Sequence, residues 1–129
     1  MVTGLFDGAI DRLSRGLTYT ARRHEVLSNN VANLETPGYR GRDIVFDDAL
    51  RPLDVIVSDG STPLAPPDEA GRPLRLVHAA DGPSASNGND VRLDRQMARL
   101  AENTLFQHAL VQVLAHQFSL LKQAIAGRS

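Results

Sequence analysis

The stretch "SNNVANLETPGYRGRD", residues 28–43, places three asparagines just before a Thr-Pro-Gly-Tyr sequence. Asparagine is a poor helix former, and a proline followed by glycine ends a helix. Pro37 disfavours helical geometry at Thr36, and Pro-Gly at the two central positions of a turn predicts type II geometry with Gly38 at positive φ. We therefore predict that a long helix ends here and that a tight turn redirects the chain.

The asparagines allow two interpretations. Asn29 and Asn33 are four residues apart, so they share one face of the helix. Amide side chains can tie a helix end to its own loop or to the backbone of a neighbouring chain. The spacing fits two roles equally well: a simple helix end, or a turn that another chain recognises.

The residues before this corner predict an amphipathic helix from about Leu5 to Leu34. Apolar residues recur at alternating intervals of four and three, which is a heptad-like pattern. Thr20 and His24 fill the two gaps in the row. The apolar members, which we expect to pack against a second helix, are Phe6, Ile10, Leu13, Leu17, Leu27, Val31 and Leu34.

The end of the chain predicts a second long helix, from about Asp90 to Ala126. Asn89 and Asp90 are candidate N-caps, and Gly127 is a candidate stop. A first packing row contains Met97, Leu100, Thr104, Gln107, Val111, Leu114, Phe118, Leu121 and Ile125. A second row beside it contains Phe106, Leu110, Val113, Gln117, Leu120 and Ala124.

The second helix is apolar over a wider arc than one partner helix can cover. Each Leu, Val or Phe that is buried contributes roughly 1.5–3 kcal/mol, so leaving one row exposed forgoes on the order of 10 kcal/mol. That is comparable with the roughly 4–15 kcal/mol cost of association. We therefore expect the isolated chain to be weakly folded or to aggregate, and to become ordered in an oligomer.

The middle of the chain holds all seven prolines and lacks a lasting periodicity. It offers extended pieces at Ile44–Phe46, Leu53–Val57 and Leu74–Val77. The predicted fold is one all-α domain, an antiparallel coiled-coil hairpin with an irregular, partly extended middle. Its parts are an assembly helix at 1–34, a turn and loop-rich segment at 35–89, and an assembly helix at 90–129.

The composition argues against catalysis and metal binding. The chain has 129 residues, a formal net charge of −1 and no cysteine, so thiol catalysis and zinc-thiolate sites are excluded and attraction to nucleic acid is not expected. His108 and His116 are eight residues apart, which does not match the three or four that helix-borne zinc ligands need. No nucleophile or phosphate-loop pattern is present. We expect no enzyme, catalytic residue, metal, cofactor or small-molecule substrate.

No apolar run approaches the roughly 20 residues that span a bilayer. The stretch "MVTGLFDGAIDRL" carries acids where a signal peptide needs an unbroken apolar block. If the protein leaves the cytoplasm, we expect it to do so without a cleaved signal.

Both ends of the chain resemble bacterial flagellar basal-body rod proteins. Within "LSNNVANLETPGYRGRDIVFDDAL", the residues matching the family signature are Asn30, Ala32, Asn33, Thr36, Pro37, Gly38 and Tyr39. The last 40 or so residues are similar to the C-terminal end of one proximal-rod subunit. The matches there are Asn87-Gly88-Asn89, Val91, Leu93, Met97, Ala101, Asn103, Phe118–Leu121 and Ala124-Ile125. Two departures are Arg92, where the family commonly has an acid, and Gln96, where it commonly has Glu.

The resemblance implies a structural subunit whose paired terminal helices stack with copies of itself and other rod proteins into a hollow tube. It implies synthesis in the cytoplasm, export by the flagellar type III apparatus, and a place in the periplasmic rod near the inner membrane. The export gate and a small adaptor at the base of the rod would be further partners. The residues implied for the assembly corner are Asn29, Asn30, Asn33, Thr36, Pro37, Gly38 and Tyr39.

Two other interpretations remain open on the residues alone. A helical adaptor or chaperone-like module of a secretion system would use the apolar surplus to hold one partner, and it would form a one-to-one complex. A small hydrolase would need an acid and a histidine that converge in a concave site, which the sequence gives no reason to expect.

Overall fold

The computed structural model describes residues 2–46, 62–63 and 74–127, and its main elements are two long helices. Helix α1 spans Val2–Ala32 and helix α2 spans Leu93–Ala126. The predicted all-α fold, with a long helix at each end of the chain, is confirmed. Helix α1 ends two residues before the expected Leu34.

Helices α1 and α2 pack antiparallel. The position of Gly16 faces Leu110, near the middle of both helices. Asn30, near the end of α1, hydrogen-bonds Gln96, near the start of α2. Positions further along α1 contact positions nearer the start of α2, so the two helices form the expected hairpin.

A small antiparallel sheet closes the loop end of the hairpin. Strand β1 spans Arg42–Phe46, β2 spans Thr62–Pro63 and β3 spans Leu74–His78. The strand order is β1-β3-β2, with β3 antiparallel to both neighbours. The extended pieces expected near Ile44–Phe46 and Leu74–Val77 are therefore confirmed, whereas the expected strand at Leu53–Val57 lies outside the described residues.

The two predicted ends of α2 have different outcomes. Gly127 is the C-cap, and its N–H donates to the Gln123 carbonyl over 2.8 Å. The prediction of Asn89 or Asp90 as N-cap is wrong, because α2 begins at Leu93 and its N-cap, Arg92, makes no side-chain cap bond. The side chains of Asn89 and Asp90 instead contact the turn after α1 and the residues that lead into β1, and Asp90 also contacts His78.

The core at the loop end is small and contains many polar groups. Val26, Ile44 and Leu74 form its apolar centre, with Tyr19 and Leu76 packed against them. The polar and charged residues that are also buried are Thr20, Asn30, Asp43, Asp81, Asn89, Asp90, Gln96 and Asn103. Since buried polar groups destabilise a fold unless they are hydrogen-bonded, their partners decide how this end holds together.

The row of α2 that α1 covers takes members from both rows predicted from the sequence. Residues spaced alternately by four and three are buried or half-buried there: Gln96, Leu100, Asn103, Gln107, Leu110, Leu114, Gln117 and Leu121. Met97 and Phe118, assigned to the first row, are each 52% exposed. The helix is rotated from the expected position because Gly16 leaves room for Leu110 and because Gln96 bonds α1.

Candidate functional site

The Thr-Pro-Gly-Tyr turn has the predicted geometry. The Tyr39 N–H donates to the Thr36 carbonyl over 3.2 Å, and Gly38 has a φ of +72°. That positive φ at the third position of the turn is the type II signature. A side chain at Gly38 would strain the backbone although it would meet open space.

One of the three asparagines, Asn33, ties the end of α1 to the turn that follows it. The Asn33 amide donates to the Asn29 carbonyl over 2.8 Å, and the Thr36 hydroxyl donates to the Asn33 side-chain oxygen over 3.1 Å. The side chain of Asn29 is exposed. The spacing allowed two roles for the asparagines. The hydrogen bonds within this chain are those of a capped helix end.

Asn30 is the buried member of the group and has four hydrogen bonds. Its amide donates to the Arg42 carbonyl over 2.7 Å and to the Gln96 side-chain oxygen over 3.0 Å. Its oxygen accepts from the Arg42 N–H and from the Tyr39 hydroxyl, each over 3.1 Å. One fully satisfied side chain thereby joins α1, the turn, β1 and α2.

Gln96 extends this network to a buried carboxylate. Its amide donates to Asp81 Oδ2 over 2.7 Å, and the Arg92 N–H donates to the same oxygen over 2.7 Å. Arg99 Nη1 lies 3.1 Å from Asp81 Oδ1, but its orientation does not make a hydrogen bond. We treat that contact as an ion pair that balances the buried charge of Asp81.

Asn89 caps the end of α1 from far along the chain. Its amide nitrogen lies 2.9 Å from each of the carbonyl oxygens of Asn33, Leu34 and Thr36. Its side-chain oxygen accepts from the Val91 N–H over 2.8 Å. The Asn33 and Thr36 carbonyls also accept from the backbone N–H groups of Thr36 and Tyr39, so Asn89 adds a second donor to the turns that follow α1.

The turn around Asn89 also contacts the Thr-Pro-Gly-Tyr turn through the backbone. The Gly38 N–H donates to the Asn87 carbonyl over 2.8 Å. Gly88 has a φ of +82°, and a Cβ there would lie 3.3 Å from the Cα of Gly38. The two sequence stretches that carry the family resemblance therefore meet at one corner.

Asp90 is a second buried carboxylate that links this corner to the sheet. It accepts from the Gly41 N–H over 2.6 Å, and its other oxygen lies 2.6 Å from His78 Nε2. We assign the proton to Nε2, since a carboxylate needs a donor. Arg40 Nε lies 3.3 Å from that nitrogen, which cannot accept a hydrogen bond while it donates to Asp90.

A bidentate ion pair fastens α1 to β1. Arg23 Nε and Nη2 donate to the two Asp43 oxygens over 2.9 and 3.1 Å. Burial opposes the charge of Arg23, yet the hydrogen bond to Asp43 and its charge leave the pKa of Arg23 above its ordinary value. Burial raises the pKa of Tyr19 beside this pair, and burial likewise raises that of Tyr39.

A concave surface beside the corner is lined by an acid but by no histidine. A pocket of about 220 Å³ is lined by Arg22, Glu25, Val26, Asn29, Tyr39, Arg42 and Leu76. Asp90 and His78 are an acid and a histidine in contact, but neither lines this pocket. Within residues 2–46, 62–63 and 74–127, no three acidic or histidine side chains are grouped as a metal site would require.

The described helices also contain no segment long and apolar enough to cross a bilayer.

The structure brings most of the predicted corner residues together and adds others. Asn30, Asn33, Thr36, Gly38 and Tyr39 all take part in the network, while the side chains of Asn29 and Pro37 are exposed. The residues that the sequence analysis missed as corner partners are Asp81, Asp90 and Gln96, together with the capping role of Asn89. The apolar periodicity gave no signal for Gln96, because this residue lies on neither predicted row and the covered row depends on the rotation of α2.

The predicted packing residues differ in how much of each side chain is buried. Leu27 is fully buried, whereas those partly covered along the hairpin are Ile10, Leu13, Leu17, Val31, Leu34, Leu100, Leu110, Leu114 and Leu121. Those that remain exposed are Met97, Phe106, Val111, Val113, Phe118, Leu120 and Ile125. The side chain of Phe6 lies outside the described residues. Packing of the exposed set stays a prediction.

Comparison with known proteins gives one family. The model of the family described as "Flagella basal body rod protein" matches residues 10–40. The flagellar basal body rod protein FlgB of Bacillus subtilis is 29% identical over 125 residues, which cover 95% of this chain and 97% of that protein.

Two enterobacterial relatives agree with this. FlgB of Yersinia enterocolitica is 31% identical over 121 residues, covering 86% of this chain and 88% of the relative. FlgB of Salmonella typhimurium is 30% identical over 132 residues, covering 94% and 95%. These matches extend through the middle of the chain and both helices. The chain therefore belongs to the FlgB family of flagellar basal body rod proteins, a family of structural proteins and not of enzymes.

Proposed function

We propose that this chain is a self-assembling subunit of the proximal flagellar rod, joined to its neighbours through α1 and α2. The observation that carries the proposal is the apolar surface of α2. Phe106 and Phe118, on that helix, are 48% and 52% exposed. A soluble monomer would lose stability by leaving such side chains in water, whereas packed rod subunits would bury them.

The interface between α1 and α2, called the seam below, contains amide side chains. This supports the view that the chain becomes ordered mainly on assembly. Asn103 donates to the Thr20 carbonyl over 2.9 Å, but its own oxygen is buried without a hydrogen-bond partner. Such a seam stabilises the hairpin less than an all-apolar one. A weakly stable hairpin suits passage of the unfolded chain through the flagellar type III export apparatus, and folding at the site of assembly.

The partners of this function are copies of the same chain and other flagellar rod proteins. At the base of the rod, the export gate and the small rod-base adaptor would adjoin this subunit. The corresponding place is the periplasmic rod near the inner membrane, reached from the cytoplasm by export. Family membership and the exposed face of α2 support this arrangement.

The corner has a defined role in the proposal. Asn29, Asn30, Asn33 and the Thr36–Tyr39 turn fix the direction in which the chain leaves the packed helices. Gly38→Val should reduce rod assembly more than export, because the strain at positive φ affects the folded corner and not the unfolded chain. Export is measured as secreted protein and assembly as motility; full motility of this variant would refute the role of the turn.

Electron microscopy of isolated basal bodies tests the function as a whole. Cells that lack this chain should have membrane rings and an export gate but no rod, and a plasmid copy should restore the rod. An intact rod without the chain would overturn the proposal. A soluble one-to-one complex with a single partner would instead support a helical adaptor or chaperone-like module.

A further inference from the structure

Most of the exposed apolar residues of α2 form two separate strips, and Leu93 and Leu105 lie on neither. The row that α1 covers fixes the heptad of α2, with residues 100, 107, 114 and 121 at position a and residues 103, 110 and 117 at position d. Position e then holds the e strip, defined as Met97, Val111, Phe118 and Ile125. Position g holds the g strip, defined as Phe106, Val113 and Leu120.

The two strips lie on opposite sides of the seam. Positions e and g flank an a/d seam and commonly carry charged residues such as Glu and Lys. Here their apolar side chains are between 40% and 68% exposed, with Leu120 and Ile125 at the two limits. Helix α1 already occupies the a/d face between them, so each strip needs a partner of its own.

The described part of the chain offers one kind of apolar partner for these strips, which is the other strip. Among the side chains described in residues 7–45 and 74–127, the large apolar groups with substantial exposure all lie on α2. The outer face of α1 carries polar residues such as Arg22, Glu25 and Asn29. An apolar strip of α2 that meets this face would bury charge against hydrocarbon, which is unfavourable.

We propose that the e strip of one copy packs against the g strip of the next copy, so that each α2 lies between two others. The inference rests on the proposed function, because a rod has one direction and its subunits must point the same way. A contact between two different patches keeps that direction and continues from copy to copy. An e-to-e or g-to-g contact would relate copies by a twofold axis and reverse every second one.

The absence of cysteine makes the pairing directly measurable. Single-cysteine variants of the full chain are made on the e strip, Val111→Cys and Phe118→Cys, and on the g strip, Val113→Cys and Leu120→Cys. Gln112→Cys, on the exposed face away from the seam, is the matched control. Each variant is checked for helix content, then incubated alone or mixed with another variant and treated with a short bismaleimide.

Mixtures of an e variant with a g variant should give covalent dimers, whereas either variant alone or mixed with Gln112→Cys should not. Two pairs are used so that a shift of one copy along the other does not hide the contact. Sedimentation velocity on the same samples reports whether the chain assembles.

The other outcomes separate the inference from the proposed function. Dimers from an e variant alone, or from a g variant alone, overturn the strip-to-strip pairing. Assembly in sedimentation without e-to-g products above the control also overturns it, while self-assembly stands. A chain that remains monomeric up to its solubility limit contradicts both.

Discussion

At the scale of single residues, Asn89 shows how this fold adds a distant donor to the local backbone bonds that end α1. Many helices end with a glycine that turns the chain and allows backbone groups to satisfy the last carbonyls. Here an amide more than 50 residues along the chain lies 2.9 Å from three carbonyls at the end of α1. The end of the first helix therefore depends on the segment that leads into the second.

Asn89→Asp should destabilise the corner strongly. The substitution keeps the shape and the oxygen that accepts from Val91, but it replaces a donor with a carboxylate facing three carbonyls. A buried carboxylate that faces carbonyl oxygens with no donor between them should lower the free energy of unfolding by about 3 kcal/mol. Urea unfolding followed by circular dichroism measures the change.

The matched control is Asn87→Asp. Asn87 is exposed, and its side chain accepts from the Asn89 N–H, which a carboxylate also does. Its unfolding midpoint should stay close to that of the parent. Equal stability of the two variants would show that the Asn89 donor does not hold the corner.

Gly41→Ala should also destabilise the corner, for a steric reason. A Cβ at Gly41 would lie 2.7 Å from the Ala79 carbonyl oxygen, where backbone must move to make room. Overpacking of this kind costs about 1–3 kcal/mol. Gly82→Ala is the control, since nothing lies within 4 Å of a Cβ there. Thermal unfolding should separate the two variants, and a harmless Gly41→Ala would contradict the close approach of Gly41 and Ala79.

At the scale of the elements, the polar residues of the α2 seam determine how the helices fit. Gln96 and Asn103 are fully buried and both bond to α1 or its backbone. A buried polar residue in a coiled coil costs stability and specifies register. The two amides therefore fix both the rotation of α2 and its position along α1.

Asn103→Leu should raise stability and loosen this register. The Thr20 carbonyl would lose one donor, and the unpartnered Asn103 oxygen would be replaced by apolar surface. We expect a gain of about 1 kcal/mol in the free energy of unfolding. Gln112→Leu, on the exposed face of the same helix, should change little. A lower melting temperature for Asn103→Leu would mean that its hydrogen bond outweighs the buried oxygen.

The helices and the turn could be predicted from the sequence, but the contacts between them could not. Apolar periodicity predicted both helices, and the Pro37–Gly38 pair predicted the turn, because these signals are local. The rotation of α2 could not be read from apolar periodicity, since the helix is apolar on both flanks of a seam that itself contains Gln96 and Asn103. Likewise, Asn89 looked like a local N-cap because its true partners lie at the end of the first helix and in the turn after it.

At the scale of the whole molecule, the chain combines a small polar-rich core with apolar surface left outside. Hydrogen bonds at the corner set the direction in which the chain leaves α1, and the buried amides between the helices set the register of α2 against α1. The e and g strips of α2 remain exposed for contacts with a partner. Anything that binds the folded chain and not the unfolded one stabilises the fold by mass action. Assembly and folding are therefore expected to strengthen each other in this protein.

Combined Val111→Gln and Phe118→Gln substitutions should uncouple folding from assembly. Both side chains are about half exposed on the e strip and lie outside the seam, so the hairpin should keep its helix content. The parent's melting temperature should rise with protein concentration, and that of the variant should not. Leu105→Gln, at a position that is 70% exposed and on neither strip, should keep the parent's concentration dependence. If the double variant still assembled like the parent, the e strip would not be the surface through which folding and assembly are coupled.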